Sequence, residues 1–446
     1  MNGVVGAGII GIPGAVNEAG FAFGVAICTA VAFLSAWTVR LLGSVGREHQ
    51  VYNYPDLCQR AFGDAGFYGV CVFQGLFAFG AMCSYMIIFA DTVVSTLANA
   101  PGAAAAAPAL LQRSTVLLLG AALVLLPLSL LRRYASLARF SLIKLAAILF
   151  FAGTVVYYNE RLGPLVVTAK SDAWKYTAVH TNFLPALGTI SFAFVCHHQT
   201  FLAMGSLADP TPRRFAITVN LAMAGSFGVS LLVGVFGYTT FWDTTKGDIF
   251  LNYDAFPTVR GQAGMAAARL LMALNMLITY PSEMMVARGT VEMVLARWRR
   301  NRRWRAAGAP VHDRGALAAM AAADSQVRTA DAWAWGAPVT AALAEHVAIT
   351  AAVLAATTGV SLGVTDLSRV LGITGSFCAV FLAFVLPAAV RLRLGARPDD
   401  DSALCAPANA LPWAVLGFGA LAFVASTGFS VVSAASGQDV LPVGPL

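Results

Sequence analysis

The sequence predicts an all-α membrane protein that crosses the bilayer many times. Hydrophobic residues make up 58% of the 446 residues, charged residues make up only 11%, and the mean hydropathy is +0.71. Soluble globular chains carry about 25% charged residues, so a soluble class is excluded. The apolar residues occur in long runs rather than in short alternating segments, which excludes a membrane β-barrel.

Eleven apolar runs are long enough to cross a bilayer, since a span needs about 20 mostly apolar residues. They cover residues 1–19, 21–42, 67–97, 114–131, 137–157, 181–207, 215–241, 264–286, 337–358, 370–394 and 411–433. Residues 54–62, before the third run, are typical of a short amphipathic segment at the membrane surface. We therefore predict a single membrane domain over residues 1–434.

Basic residues concentrate in alternate connections between these spans. One set of connections holds Arg40, Arg47, Arg60, Arg132, Arg133, Arg139, Arg213, Arg214, Arg391, Arg393, Arg397 and nine arginines between residues 288 and 328. The other set holds only Arg113, Arg161, Lys170, Lys175, Lys246 and Arg260. Cytosolic connections carry the excess of Lys and Arg, so the N-terminus is predicted to be cytosolic.

A basic, alanine-rich segment follows the eighth span and is predicted to be a cytosolic loop, residues 288–336. It contains the Trp/Arg cluster 298–305. Such a cluster can bind nucleic acid or anionic lipid, but its place directly after a span favours a juxtamembrane anchor that sets topology. No nucleic-acid partner is expected.

The first span contains three glycines and a proline in the stretch Gly6–Pro13. Glycine costs a helix about 1 kcal/mol relative to Ala, and an interior proline about 3 kcal/mol. One interpretation is a helix that breaks, with open backbone groups that hold a carboxylate, an ammonium or a cation. The alternative is close helix packing through small residues.

The sixth span contains the polar run Cys196-His197-His198-Gln199-Thr200 near its middle. Polar groups at this depth face a cavity or the bundle interior. Two interrupted helices, five spans apart, are typical of transporters built from inverted repeats around a midplane site. We therefore predict repeats over about 1–157 and 181–394, with an extra helix at 411–433.

Several ionisable or oxygen-bearing side chains are candidates with two interpretations each. His197 and His198 are proton carriers or neutral walls of a pocket. Glu283 is a functional intramembrane carboxylate or one half of a structural ion pair, and Asp91 is a gate or a helix-end carboxylate in solvent. Arg269 is expected to snorkel to the membrane surface.

Asn275 and Thr279 share one face of the eighth span because they are four residues apart. Together with Asn2 they would bring three oxygen-bearing side chains to one place, a set that suits a hard cation. A zinc enzyme that uses His197 and His198 would need further ligands, and only His346 in a distant span is available. An enzyme is therefore not expected.

Five stretches carry a resemblance to a known family. They are 2–13 with 19–21, 84–88 with 91–92, 192–198, 247–250 with 252–253, and 279–283. They resemble the amino acid/auxin permease superfamily, and within it the branch numbered eleven of the sodium-coupled neutral amino acid transporters. The resemblance implies a LeuT-like fold of ten core helices in two inverted repeats with helices 1 and 6 broken, plus an eleventh helix.

The resemblance also implies uptake of neutral amino acids by alternating access, driven by Na⁺ or H⁺, with no other cofactor. Asn2 and Thr279 match positions implicated in sodium binding, with the Gly6 carbonyl beside the ion. The substrate would lie between Gly6, Ala7, Gly8, Ile9 and Gly11 on one side and Val195, Cys196, His197 and His198 on the other. His197, Asp91 and Glu283 would carry a proton or gate.

The remaining expectations are a monomer in the plasma membrane or in a vacuolar or lysosomal membrane. The alternative function is a receptor of the same fold that binds an amino acid without moving it. The five residues before the glycine run would rise only about 7.5 Å, short of a ~15 Å leaflet. Either translation begins upstream or this form cannot gate properly.

Overall fold

The computed structural model describes residues 6–99, 112–131, 140–166, 170–180, 183–306, 343–395 and 409–436. Within these ranges every regular element is helical, and eight helices are long and apolar enough to cross a membrane. A polytopic α-helical membrane protein is therefore confirmed. The total of eleven spans and the inverted repeat stay predictions, and Asn2 lies outside the described residues.

The helices, in chain order, are as follows. They are α1 (Gly8–Ala19), α2 (Phe21–Glu48), α3 (Tyr54–Ala98), α4 (Arg113–Ser129), α5 (Ser141–Leu162), α6 (Asp172–Tyr176), α7 (Phe183–Phe194), α8 (Thr200–Gly205), α9 (Pro212–Phe241), α10 (Ile249–Asp254), α11 (Pro257–Arg260), α12 (Ala263–Ala306), α13 (Leu343–Gly363), α14 (Leu367–Gly395) and α15 (Ala410–Ser436). The predicted surface segment at 54–62 is the first part of α3, which bends at Gly63, where φ is +66°.

The long helices pack in two groups. Helices α1, α2, α7 and α9 pack on one another and are called the bundle here, while α3, α4, α12 and α13 pack on one another and are called the scaffold. Helix α5 packs against α9 and α12, and α14 packs against α7 and α3. These two helices therefore each contact both groups.

One end of the molecule collects the basic residues. Arg391 near the end of α14 pairs with Glu48 at the end of α2, at 3.2 Å, and Arg297 of α12 pairs with Asp64 of α3. This end is called the basic end. Helix α12 continues to Ala306, so the first part of the segment 288–336, predicted as a loop, is helical. Residues 307–336 lie outside the described residues.

At the opposite end, the connection between α9 and α10 lies directly against α1. The Asn17 amide donates to the Thr245 carbonyl at 3.1 Å. A Cβ added at Gly14 would lie 2.6 Å from the Gly247 Cα, so this contact needs glycine. The connection therefore covers the end of α1 that faces away from the basic end.

Arg269 was expected to reach the membrane surface, and this expectation is wrong. Its side chain is 1% exposed and its guanidinium bonds to Asp254 and Ser95. A partner carboxylate offsets the cost of burial, which a sequence pattern alone does not reveal.

Candidate substrate and cation site

The predicted break in the first helix is shorter than the sequence suggests. Helix α1 begins at Gly8, and the described residues before it, Gly6 and Ala7, form a bend and a turn. The positions that are helical rather than unwound are Gly8, Ile9 and Gly11. A glycine can adopt a helical or an unwound backbone conformation. In α1 the glycines from Gly8 onward are helical, and this part of the helix packs against α7. The open groups are therefore the N–H groups of a helix N-terminus, which favour an anion.

Pro13 leaves one carbonyl inside α1 without its helical partner. Proline has no N–H, so the Ile9 carbonyl, four residues earlier, cannot form the usual hydrogen bond. Both residues are buried. An acceptor of the kind expected from a broken helix is thus present within a continuous one.

Helix α1 approaches α7 and α3 through its glycines. A Cβ added at Gly8 would lie 2.6 Å from the Ala193 Cα, and one at Gly6 would lie 2.8 Å from the Tyr85 hydroxyl. Gly8 therefore serves close helix packing, which was the alternative interpretation of the glycine run. Gly6 instead places the start of α1 beside a polar group of α3.

The predicted break in the sixth helix is present. Helix α7 ends at Phe194, the next two residues are not helical, residues 197–199 form one 3₁₀ turn, and α8 begins at Thr200. The sequence-predicted pocket residues Val195, Cys196, His197 and His198 all lie in this interruption. Their neighbours, rather than regular helix bonds, hold the polar side chains in place.

Glu283 of α12 accepts hydrogen bonds from two of these side chains. Its Oε2 lies 2.9 Å from His198 Nε2, and its Oε1 accepts from the Gln199 amide at 2.7 Å. All three residues are buried. This arrangement is called the Glu283 clasp, and it joins the bundle to the scaffold. Gln199 was not singled out by sequence reasoning, although it stands beside the two histidines.

His197 makes a different contact. Its Nε2 lies 2.8 Å from the Thr38 hydroxyl of α2, so it stays within the bundle. His198 also lies against the Phe77 ring of α3, with ring centroids 4.8 Å apart. Adjacent histidines therefore face opposite groups of helices, and only His198 reaches the carboxylate.

Lys144 is a buried cation that sequence reasoning missed. It lies on α5, is 4% exposed, and interacts electrostatically with Glu283. A single lysine inside the apolar run 137–157 was the available signal, since charged residues at such depth are functional candidates. The region around Glu283 therefore contains a carboxylate, an ammonium and an imidazole.

The predicted cation residues are only partly described. The Thr279 hydroxyl donates to the Asn275 carbonyl at 2.7 Å, as Thr side chains in helices often do. The Asn275 side chain is 1% exposed, and neither its Nδ2 nor its Oδ1 has a partner among the described residues. A buried amide without partners is costly and fits a ligand-binding position. The positions Gly6 and Thr279 remain a prediction as cation ligands.

Asp91 does not join this group. Its carboxylate pairs with Arg113 at 2.6 Å, and Arg113 also donates to the Ser361 and Val364 carbonyls. The pair links α3, α4 and α13 within the scaffold. Across the described ranges, no group of three or more His, Cys, Asp or Glu side chains is arranged to hold a metal ion.

Buried polar groups at the interruption of a membrane helix, between two packed helix groups, are typical of membrane transporters. The chain belongs to the family described as transmembrane amino acid transporter protein, whose model matches residues 1–432. A relative from Danio rerio is 30% identical over 394 residues, which cover 88% of this chain and 77% of the relative. One from Bos taurus is 30% identical over 402 residues, covering 90% and 76%.

Both relatives are provisionally named sodium-coupled neutral amino acid transporter 11. The vacuolar amino acid transporter 2 of Saccharomyces cerevisiae is 24% identical over 444 residues, which cover 98% of this chain and 83% of that protein. The family resemblance seen in the sequence is thus confirmed. The family and these names indicate a transporter rather than an enzyme.

Proposed function

We propose that this protein is a secondary active transporter of neutral amino acids that works by alternating access, coupled to Na⁺ or H⁺. The observation that carries the proposal is the Glu283 clasp. It places ionisable groups within a predicted membrane span, where the interrupted helix of the bundle meets the scaffold. Because the chain belongs to an amino acid transporter family, we assign these groups to transport.

The substrate would bind between the start of α1 and the interruption after α7. The first-turn N–H groups of α1 attract the substrate carboxylate. The Ile9 carbonyl, whose usual helical donor is missing because Pro13 has no N–H, and the backbone at residues 195–196 offer acceptors for the ammonium group. Tyr85 beside Gly6 adds one polar side chain from the scaffold. These contacts would bind the α-carboxylate and the α-ammonium group, which all amino acids share.

Alternating access would follow from movement of the bundle against the scaffold. The bundle carries both predicted substrate segments, and the scaffold carries Glu283, Thr279 and Tyr85. A ligand that contacts both groups stabilises the closed arrangement and shifts the population toward it. A cation near Asn2, Gly6 and Thr279 would tie α1 to α12 in the same way.

The basic end would face the cytosol, because cytosolic connections carry the excess of Lys and Arg. The connection between α9 and α10 would then cover the site from the outside or from a lumen. We propose a monomer in the plasma membrane or in a vacuolar or lysosomal membrane. The second location is suggested by the name of the yeast relative.

The test is uptake by the purified full chain in proteoliposomes. A panel of labelled amino acids is offered at two pH values, with and without sodium. We expect saturable, gradient-dependent accumulation of neutral amino acids that unlabelled substrate competes away. Binding of an amino acid without any flux would contradict transport and would identify a receptor instead.

A further inference from the structure

We propose that Glu283 and His198 carry the coupling proton, which leaves the Glu283 carboxyl through His198 toward the basic end. This inference rests on the proposed transport function and names its coupling ion. Three observations support it: the position of the clasp, a small cavity beside His198, and the charged neighbours of Glu283.

The clasp responds to the charge on Glu283 because an ionised carboxylate only accepts hydrogen bonds. In that form it can hold the His198 N–H and the Gln199 amide together, at 2.9 and 2.7 Å. A protonated carboxyl carries an O–H that must find an acceptor, and the available acceptor is the lone pair of His198 Nε2. Adding a proton therefore reverses the direction of one hydrogen bond between bundle and scaffold.

A cavity of about 20 Å³ lies between His198 and the start of α3, on the side of the basic end. One water molecule needs about 10–15 Å³, so the cavity has room for one. Its lining residues include His198, Gln74 and Asn53–Pro55, and the last of these form the start of α3. His198 Nδ1 has no partner among the described residues, so this nitrogen is available to the cavity side of the ring.

The proton step balances as follows. The Glu283 O–H bond breaks and a bond forms from that proton to His198 Nε2, which converts the carboxyl and neutral imidazole into a carboxylate and an imidazolium. The imidazolium then releases its Nδ1 proton to water. One proton moves across, and the clasp returns to its ionised form with His198 Nε2–H as donor.

The charged and titratable groups facing Glu283 come from three elements besides its own. Lys144 belongs to α5, Tyr85 to α3, and Cys196 and His198 to the interruption after α7. The ammonium of Lys144 stabilises the carboxylate that remains after proton release. The nearest charged group on α12 itself, beyond Glu283, is Arg288, which donates to the Ser129 carbonyl.

The test measures proton movement and amino acid exchange separately. Full-length protein is reconstituted into sodium-free proteoliposomes that enclose a pH-sensitive dye, and a neutral amino acid is added outside. The wild type should acidify the lumen on addition and accumulate label under an inward proton gradient. In Glu283→Gln, acidification of the lumen and accumulation of label should each fall at least tenfold. Exchange of internal for external amino acid needs no net proton flow and should fall less than threefold.

Two further variants keep the result interpretable. His198→Gln should lose proton-driven accumulation like Glu283→Gln. Glu292→Gln changes another buried carboxylate, two turns further along α12, and should accumulate label as the wild type does. Exchange above the level of empty vesicles shows that each variant is folded.

The possible outcomes distinguish failure of this inference from failure of the proposed transport function. Normal proton-driven accumulation by Glu283→Gln overturns the inference alone, as does wild-type accumulation that requires sodium and leaves the dye unchanged. Equal loss in Glu283→Gln and Glu292→Gln overturns the assignment to Glu283. No uptake or exchange by the wild type overturns the proposed function and, with it, this inference.

Discussion

Arg269 of α12 and Asp254 of α10 form an ion pair of 2.8 Å in which the arginine is 1% exposed. The same guanidinium donates to the Ser95 hydroxyl and to the Phe250 carbonyl. Arg269→Met removes three hydrogen bonds and leaves the Asp254 carboxylate without its charged partner, with only the Ser95 hydroxyl still donating to it among the bonds described here. Such a change costs on the order of 3 kcal/mol. We expect a fall of several degrees in Tm, measured in detergent.

A matched control for this change is Arg214→Met. Arg214 pairs with Asp209 at 3.1 Å, but both side chains are more than half exposed. Exposed pairs contribute about 0–1 kcal/mol, so Tm should hardly move. Similar decreases in Tm in the two variants would show that the Arg269–Asp254 pair stabilises the protein no more than an exposed pair does.

Gly8→Ala should separate α1 from α7. The added Cβ would lie 2.6 Å from a backbone atom of Ala193, which cannot rotate away. We expect substrate affinity to fall at least fivefold in a proteoliposome uptake assay, with a loss of about 1–3 kcal/mol in stability from overpacking. Gly153→Ala on α5 is the control, because nothing lies within 4 Å of its added Cβ. Equal uptake by both variants would refute a packing role for Gly8.

Asn275→Leu should stabilise the ligand-free protein while weakening its response to ligand. The wild-type amide is buried with no hydrogen-bond partner in the part of the chain that the structure describes, and such a group costs about 1–3 kcal/mol. We expect Tm to rise by a few degrees and the additional rise caused by amino acid or sodium to disappear. Thermal unfolding with and without each ligand measures both effects.

Asn159→Leu is the comparison for Asn275. Its amide donates to the Phe236 carbonyl and to the Thr239 and Thr240 hydroxyls, so those bonds are lost. This variant should lower Tm. A fall of similar size in Asn275→Leu would mean that the Asn275 amide already has partners in the ligand-free protein.

Asp248, in the connection between α9 and α10 that lies against α1, should make the stability of the protein depend on pH. It lies between α9 and α10, where burial raises the pKa of its carboxyl from 3.8 to about 7, an effect that the Phe250 N–H partly offsets. The folded state therefore binds a proton more tightly than the unfolded state between these two values. Stability falls as pH rises from about 4 to 7 and is level above that range.

Asp248→Asn removes this dependence and keeps an oxygen that accepts from the Phe250 N–H. The variant should match the wild type near pH 4 and exceed it above pH 7 by up to about 4 kcal/mol, since the pKa of the Asp248 carboxyl rises from 3.8 to about 7. Urea or thermal unfolding across this pH range gives the comparison. A constant difference at every pH would exclude Asp248 as the titrating group.

Helix content and the interruption of the sixth helix could be predicted because both depend on local composition. The four polar or ionisable side chains at residues 197–200 cannot all face lipid, wherever the neighbouring helices lie. The partners of those residues could not be predicted, since Glu283 stands 85 positions from His198 in the chain. Lys144 did have a local signal, a lysine inside an apolar run, but its proximity to Glu283 on another helix could not be predicted.

The first helix shows the limit of propensity. Three glycines and a proline suggested an unwound stretch, but the chain is helical from Gly8 onward, and Gly8 packs closely against α7. Arg269 shows a second limit. Hydropathy located it near a span end, but only its contacts with Asp254 and Ser95 showed that it points inward.

Helix α12 extends for 44 residues, or about 66 Å, roughly twice the ~30 Å hydrocarbon thickness of a bilayer. Arg297 pairs with Asp64 and stacks on the Phe67 ring, 4.4 Å from its centroid, so the overhanging part is braced against α3. Glu283 and Trp298 lie 15 residues apart on this helix, or about 22 Å. A tilt of about 5° at Glu283 would therefore displace Trp298 by about 2 Å, together with the start of α3, and a fluorescent label at Trp298 would report that movement.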